Sequence, residues 1–136
     1  MEPTNFETEL NVLVVDDNDN IRETLTILPS RRGYRCKSAV NGREAMEKVA
    51  QGHFDVVITD VNMPEMDGIT LTRELALRFS ELPVMIMTGQ LDEHCRKSAL
   101  LAGAREVLRK PFEISEFMLR LHKMADIQNL HGEQRV

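Results

Sequence analysis

The sequence predicts a single α/β domain built on a doubly wound parallel sheet. Three features carry that expectation. Short apolar runs of strand length recur five times, at Leu10–Val15, Tyr34–Ala39, Phe54–Thr59, Leu82–Met87 and around Val107–Leu108. Stretches with apolar residues at helical spacing alternate with them. The third and fourth runs are nearly continuous in apolar residues, which suits strands covered on both faces. Strands separated by helices need crossover connections, and these force a parallel sheet.

The elements can be justified in order. Residues 1–9 are a polar lead-in. The first strand stops at Asp16-Asp17, and Asn18-Asp19-Asn20 offers N-cap candidates, with Glu23 three after Asn20 as in a capping box. Ile21, Leu25 and Leu28 face one side of the first helix. Pro29 removes a backbone donor and disfavours helical geometry at Leu28, so the helix should kink or finish there, with Gly33 as the stop. Asn41-Gly42 opens the second helix, Ala45, Met46 and Val49 point inward, and Gly52 closes it. The third helix starts near Gly68 and carries Ile69, Leu71, Leu75 and Phe79. The fourth spans Leu91 to Ala102 and stops at Gly103. Ile114, Phe117, Met118, Leu121 and Met124 or Ala125 mark the last helix. The domain is expected over 10–126, with a polar, fraying tail at 127–136.

Composition narrows the function classes. A chain of 136 residues supports one real core. A net charge of −5 without a dense Lys/Arg cluster argues against direct nucleic-acid binding and against an anionic membrane surface. No apolar run approaches the ~20 residues that span a bilayer. The acidic start lacks the basic-then-apolar order of a signal peptide. Cys36 and Cys95 form no spaced framework, so a reducing, cytoplasmic setting with free thiols is expected. Eight methionines read as core filler, and the histidines as surface residues without metal spacing. Arg31-Arg32 reads as a solvated helix end.

The chemistry gathers at strand ends: Asp16-Asp17 after the first strand, Asp60 after the third, Thr88 after the fourth and Lys110 after the fifth. In a parallel sheet these ends share one edge, where ligands bind. Carboxylates brought together repel unless a cation sits among them, and hard oxygen ligands suit Mg²⁺ or Mn²⁺. An aspartate can also be a nucleophile that forms an aspartyl-phosphate. Lys110 supplies a point charge and Thr88 a short hydroxyl for phosphoryl oxygens. Singly, each has a plainer reading: Asp60 as a loop residue or cap, Asp16-Asp17 as helix caps, Thr88 as a turn residue, Lys110 as a solvated lysine. Their common placement at strand ends favours the site.

The ordered set Val-Val-Asp16-Asp17, Asp60 with Met63-Pro64 and Asp67-Gly68, Thr88-Gly89, Ala102-Gly103-Ala104 and Lys110-Pro111-Phe112 resembles the receiver domain of two-component response regulators. The resemblance covers roughly residues 10–126. It implies a flavodoxin-like strand order 2-1-3-4-5. It also implies that Asp60 accepts a phosphoryl group from a histidine kinase or a histidine phosphotransfer protein. Asp16, Asp17, Asp60 and the backbone carbonyl of Asn62 would hold Mg²⁺, while Thr88 and Lys110 bind phosphoryl oxygens. The Lys110–Pro111 bond, trans on general grounds, becomes cis by the resemblance.

Two departures stand out. Val107 occupies the position three before the lysine where the family commonly has an aromatic that swings inward with Thr88. Pro29 lies in the helix on which a phosphotransfer partner typically packs. Asn62 and Gln90 flank the acceptor and are expected to tune the lifetime of the phosphorylated state. If Cys95, Ala99 and Ala102 face inward, Leu100 faces outward on the family's output surface, a candidate partner or dimer contact. Output is expected through an unidentified downstream protein, with dimerisation on phosphorylation, unless the chain is part of something longer. The rival classes are a phosphorylation-independent binding module and an aspartyl-phosphate phosphatase. The latter usually has a second aspartate two residues after the nucleophile, where this chain has Asn62.

Overall fold

A computed structural model describes residues 10–134, with side chains through Asp126. The lead-in 1–9 lies outside the described residues. The order is β1 (Asn11–Val15), α1 (Asp19–Ser30), β2 (Arg35–Ala39), α2 (Gly42–Gln51), β3 (Val56–Asp60), α3 (Gly68–Arg78), β4 (Val84–Thr88), α4 (Glu93–Ala102), β5 (Glu106–Arg109) and α5 (Ile114–Gln134). All strand pairs are parallel, and the sheet order is β2-β1-β3-β4-β5. The doubly wound, flavodoxin-like architecture expected from the sequence is therefore the one found.

The continuous apolar runs arise because both sheet faces are covered. Val12, Val14, Ile58, Met85 and Met87 pack under Leu25 of α1 and Phe117, Leu121 and Met124 of α5. Leu13, Val15, Val57 and Ile86 pack on the other face under Ala45, Leu71, Leu75 and Ala99 of α2 to α4. Neighbours along a strand point to opposite faces, so both neighbours must be apolar.

Several local expectations shift. Asn18, rather than Asp19 or Asn20, is the α1 N-cap, its side chain accepting from Ile21 N at 3.0 Å. An extended backbone at Asn18 leaves its side chain free to fold back on the first turn. α1 does finish beside Pro29, at Ser30, and the Pro29 carbonyl at its end accepts from Arg32 N and Tyr34 N. The last helix continues to Gln134, beyond the expected boundary at 126. Neither Gly nor Pro occurs between Phe112 and His131, so nothing in the local sequence stops it. His122 is half-buried rather than a surface residue; its Nδ1 meets the hydroxyl of buried Tyr34, and the rings are 5.5 Å apart. Burial pushes the Tyr34 phenol up to about 12, helped by Asp126 and Cys36.

Candidate functional site

Strand register brings the site together. Val15 pairs with Thr59, Asp60 with Met87, and Thr88 with Arg109. Asp16, Asp60, Thr88 and Lys110 therefore fall within one residue of a common line across the C-terminal edge of the sheet. Asp16 and Asp60 also continue the alternation of Val14 and Ile58 on the α1/α5 side.

The geometry is tight. One carboxylate oxygen from each of Asp16, Asp17 and Asp60 lies within 4.8 Å of the others. Lys110 Nζ is 3.2 Å from Asp16 Oδ2 and 3.2 Å from Asp60 Oδ1. Asp16 is fully buried, Asp60 is 8% exposed, and Asp17 is open to solvent. Burial holds the Asp60 carboxyl above its usual range; Lys110 opposes this and Asp16 adds to it. Two buried carboxylates share one ammonium, and an oxygen-only group of three is the donor set that a hard divalent cation takes.

Local contacts aim these groups. Asp16 Oδ1 accepts from Asn18 N at 2.9 Å, which turns its other oxygen to Lys110. Arg22 Nη1 donates to the Asp16 carbonyl at 2.8 Å, and its Nη2 binds Asp19 at 2.6 Å. Behind Asp60, Gly68 lets the start of α3 lie on the Asp60 backbone: a Cβ there would sit 2.0 Å from the Asp60 carbonyl oxygen. Gly68 N donates to Val61 O at 2.8 Å and closes the loop between. The Lys110–Pro111 bond is cis.

Thr88 is buried at the end of β4, where its hydroxyl has contacts on the α4 side. It accepts from Gln90 N at 3.1 Å and meets Cys95 Sγ at 4.0 Å. The side chains of Asn62 and Gln90 are exposed. Val107 is buried against the α2–α4 face, among the side chains that include Ile86 and Ala99. On α4, Ala99 and Ala102 are buried while Leu100 is 49% and Leu101 82% exposed, so Leu100 stands on the outer surface. Beside Lys110 runs an apolar groove of about 560 Å³ lined by Ile21, Thr24, Leu25, Pro111, Phe112 and Ile114.

Residues 12–122 match the family described as "Response regulator receiver domain". The chain is 36% identical over 124 residues to the regulatory protein AtoC of Escherichia coli, covering 91% of this chain and 27% of AtoC. It is 36% identical over 115 residues to the response regulator MprA of Mycolicibacterium vanbaalenii, covering 85% of this chain and 50% of MprA. The chain thus spans half or less of the length of these curated relatives. Among solved structures, the response regulator TrrA of Thermotoga maritima, in complex with Mg²⁺–BeF, superposes with a TM-score of 0.77 at 32% identity, covering 85% of this chain and 98% of that one.

Proposed function

The chain belongs to the response regulator receiver domains, and from that premise we propose that Asp60 accepts a phosphoryl group from a phosphohistidine in a reaction that needs a divalent cation. The observation that carries this reading is the meeting of the Asp16, Asp17 and Asp60 oxygens within 4.8 Å, with Lys110 Nζ 3.2 Å from two of the carboxylates. Asp16, Asp17, Asp60 and the Asn62 carbonyl would hold Mg²⁺ or Mn²⁺. When bound, such an ion offsets the charge on the transferring oxygens. TrrA, solved with Mg²⁺ and a beryllofluoride stand-in for the phosphoryl group, supports the assignment.

An Asp60 carboxylate oxygen attacks phosphorus in line with the phosphohistidine nitrogen. The P–O bond forms as the P–N bond breaks, and the released imidazole takes a proton. Lys110 lies where it can shift from the two carboxylates to a phosphoryl oxygen. The Thr88 hydroxyl accepts from Gln90 N and Cys95 Sγ and keeps its own proton to donate, so its engagement with a phosphoryl oxygen is the conformational event. Val107 cannot report that engagement as an aromatic would. Asn62 and Gln90 border the phosphoryl group, and water reaching phosphorus between them restores the Asp60 carboxylate and releases inorganic phosphate.

The domain signals rather than turns over substrate: Asn62, where a phosphatase of this chemistry would carry an acid, cannot donate a proton. The donor, a histidine kinase or phosphotransfer protein, docks over the apolar groove on α1 beside Lys110. Leu100 lies on the surface that passes the signal to a downstream protein or a second copy. The free thiols Cys36 and Cys95 fit a cytoplasmic setting, and among the described residues no helix is long and apolar enough to cross a membrane. Incubation with acetyl phosphate and Mg²⁺ tests the reading. Label on the wild type and none on Asp60→Asn is expected; label that survives the substitution overturns it.

A further inference from the structure

The loop that follows Asp60 is held at two places. At its base, Gly68 lies on the Asp60 backbone and donates to Val61 O at 2.8 Å. At its crown, Glu65 has φ of 71° and Met66 N donates to Pro64 O at 2.8 Å, a tight turn beside which Met66 packs, half-buried, against the core on the α2–α4 face. Met66 then meets α2 at Gly42. A Cβ on Gly42 would stand 2.8 Å from the Met66 carbonyl oxygen and 2.9 Å from its Cβ and Cγ. The same turn of α2 sends Arg43 Nη1 to within 3.8 Å of Glu65 Oε1.

The start of α2 is itself fixed from both sides. Asn41 Oδ1 accepts from Glu44 N at 2.8 Å, and Glu44 Oε1 accepts from Val40 N at 2.7 Å. Gly42 is buried and shows no positive φ, so its backbone conformation does not require glycine. What requires glycine is space for the loop. A side chain there would displace the loop more readily than the capped helix, because the opposing atoms include Met66 backbone.

We propose that Gly42 is a positioning residue for the cation site: by seating Met66 against the first turn of α2, it sets where the 61–68 loop, and with it the Asn62 carbonyl, sits. The inference rests on the reading that Asn62 lends its carbonyl to the cation. It makes the N-terminus of α2 part of the site, although no α2 side chain reaches the carboxylates.

The test is binding of Mn²⁺ alone, read from the electron paramagnetic resonance signal of the free ion, with thermal unfolding of each metal-free variant alongside. Alanine at a helix position gains up to about 1 kcal/mol over glycine in propensity, so a purely local effect of Gly42→Ala would be neutral or stabilising. Gly42→Ala is expected to weaken Mn²⁺ binding by about tenfold, the lower end for residues that orient metal ligands. Gly52→Ala, at the other end of the same helix with only ordinary contacts of 3.5 Å and 3.7 Å, should bind as wild type. Adding Met66→Gly to Gly42→Ala removes two of the three opposing atoms and should restore part of the loss. Should Gly42→Ala not fold, Met66→Gly alone loosens the same seat and should weaken binding. Wild-type affinity in a folded Gly42→Ala, an equal loss in Gly52→Ala, or unchanged binding by Met66→Gly overturns the inference alone. Failure of the wild type to bind Mn²⁺, or undiminished binding by Asp16→Asn, overturns the cation reading and the inference with it.

Discussion

Replacing Asp60 with asparagine should abolish phosphoryl acceptance and, in the absence of metal, make the protein more stable. Asparagine keeps the shape and removes one of the clustered charges. Charges on Asp16 and Asp60 no more than 4.8 Å apart repel by about 3 kcal/mol or more at an effective dielectric near 20. The Lys110 ammonium, 3.2 Å from Asp60, returns about 5 kcal/mol on the same scale. Taking a carboxylate 8% exposed out of water costs several kcal/mol more. The balance leaves the charged form of Asp60 disfavoured, as its upward displacement from 3.8 also says. A carboxyl raised on folding stabilises only while protonated, and that contribution is lost as pH rises through the folded value. At neutral pH Asp60 therefore costs stability. Lys110 keeps its partner Asp16 in the variant. Urea unfolding at neutral pH with a chelator should place Asp60→Asn about 1–2 kcal/mol above wild type. Added Mg²⁺ should narrow or reverse the gap, because wild type gains about 1.4 kcal/mol at ten times its dissociation constant. A metal-free variant no more stable than wild type refutes the electrostatic account.

Other consequences can be checked in the same way. Lys110→Met leaves two buried carboxylates without their counter-charge; it should lose about 3 kcal/mol in metal-free urea unfolding, with Mg²⁺ returning most of it. Tyr34 is the chain's one tyrosine, so near-ultraviolet absorbance reads it alone. It should ionise near 12 rather than 10, and its contribution, present below pH 10, should vanish between 10 and 12. An ionisation midpoint near 10 in the folded protein would contradict the burial argument. Leu100→Glu should leave melting temperature and Asp60 labelling unchanged while lowering self-association or capture of a partner. Unchanged association removes Leu100 from the output surface.

Much of this was legible in the sequence, for a physical reason. In a parallel sheet, strand ends share an edge, so polar residues that end apolar runs at Asp16, Asp60, Thr88 and Lys110 must assemble whatever the helices do. Side-chain engagement was less legible. The grip of Arg22 on the Asp16 carbonyl depends on the pitch of α1 against a loop, which spacing does not encode. Cys95 meets Thr88 because the first turn of α4 folds over the end of β4, seven residues on. Gly68 and Gly42 read as ordinary helix starts, and only the backbone approaching them shows that a Cβ has no room. Among the three cap candidates Glu23 pointed to Asn20, and only the extended backbone at Asn18 shows which side chain folds back on the first turn. The sequence did carry one unused signal, the absence of any breaker at 126, which would have extended the last helix.

The most direct test is where the phosphoryl group goes. After incubation with acetyl phosphate and Mg²⁺, borohydride reduces an acyl phosphate on aspartate to homoserine, which peptide mass spectrometry locates. The account predicts homoserine at position 60 alone, dependent on the divalent cation. Homoserine at another aspartate, or none at Asp60 when the protein carries label, would contradict it.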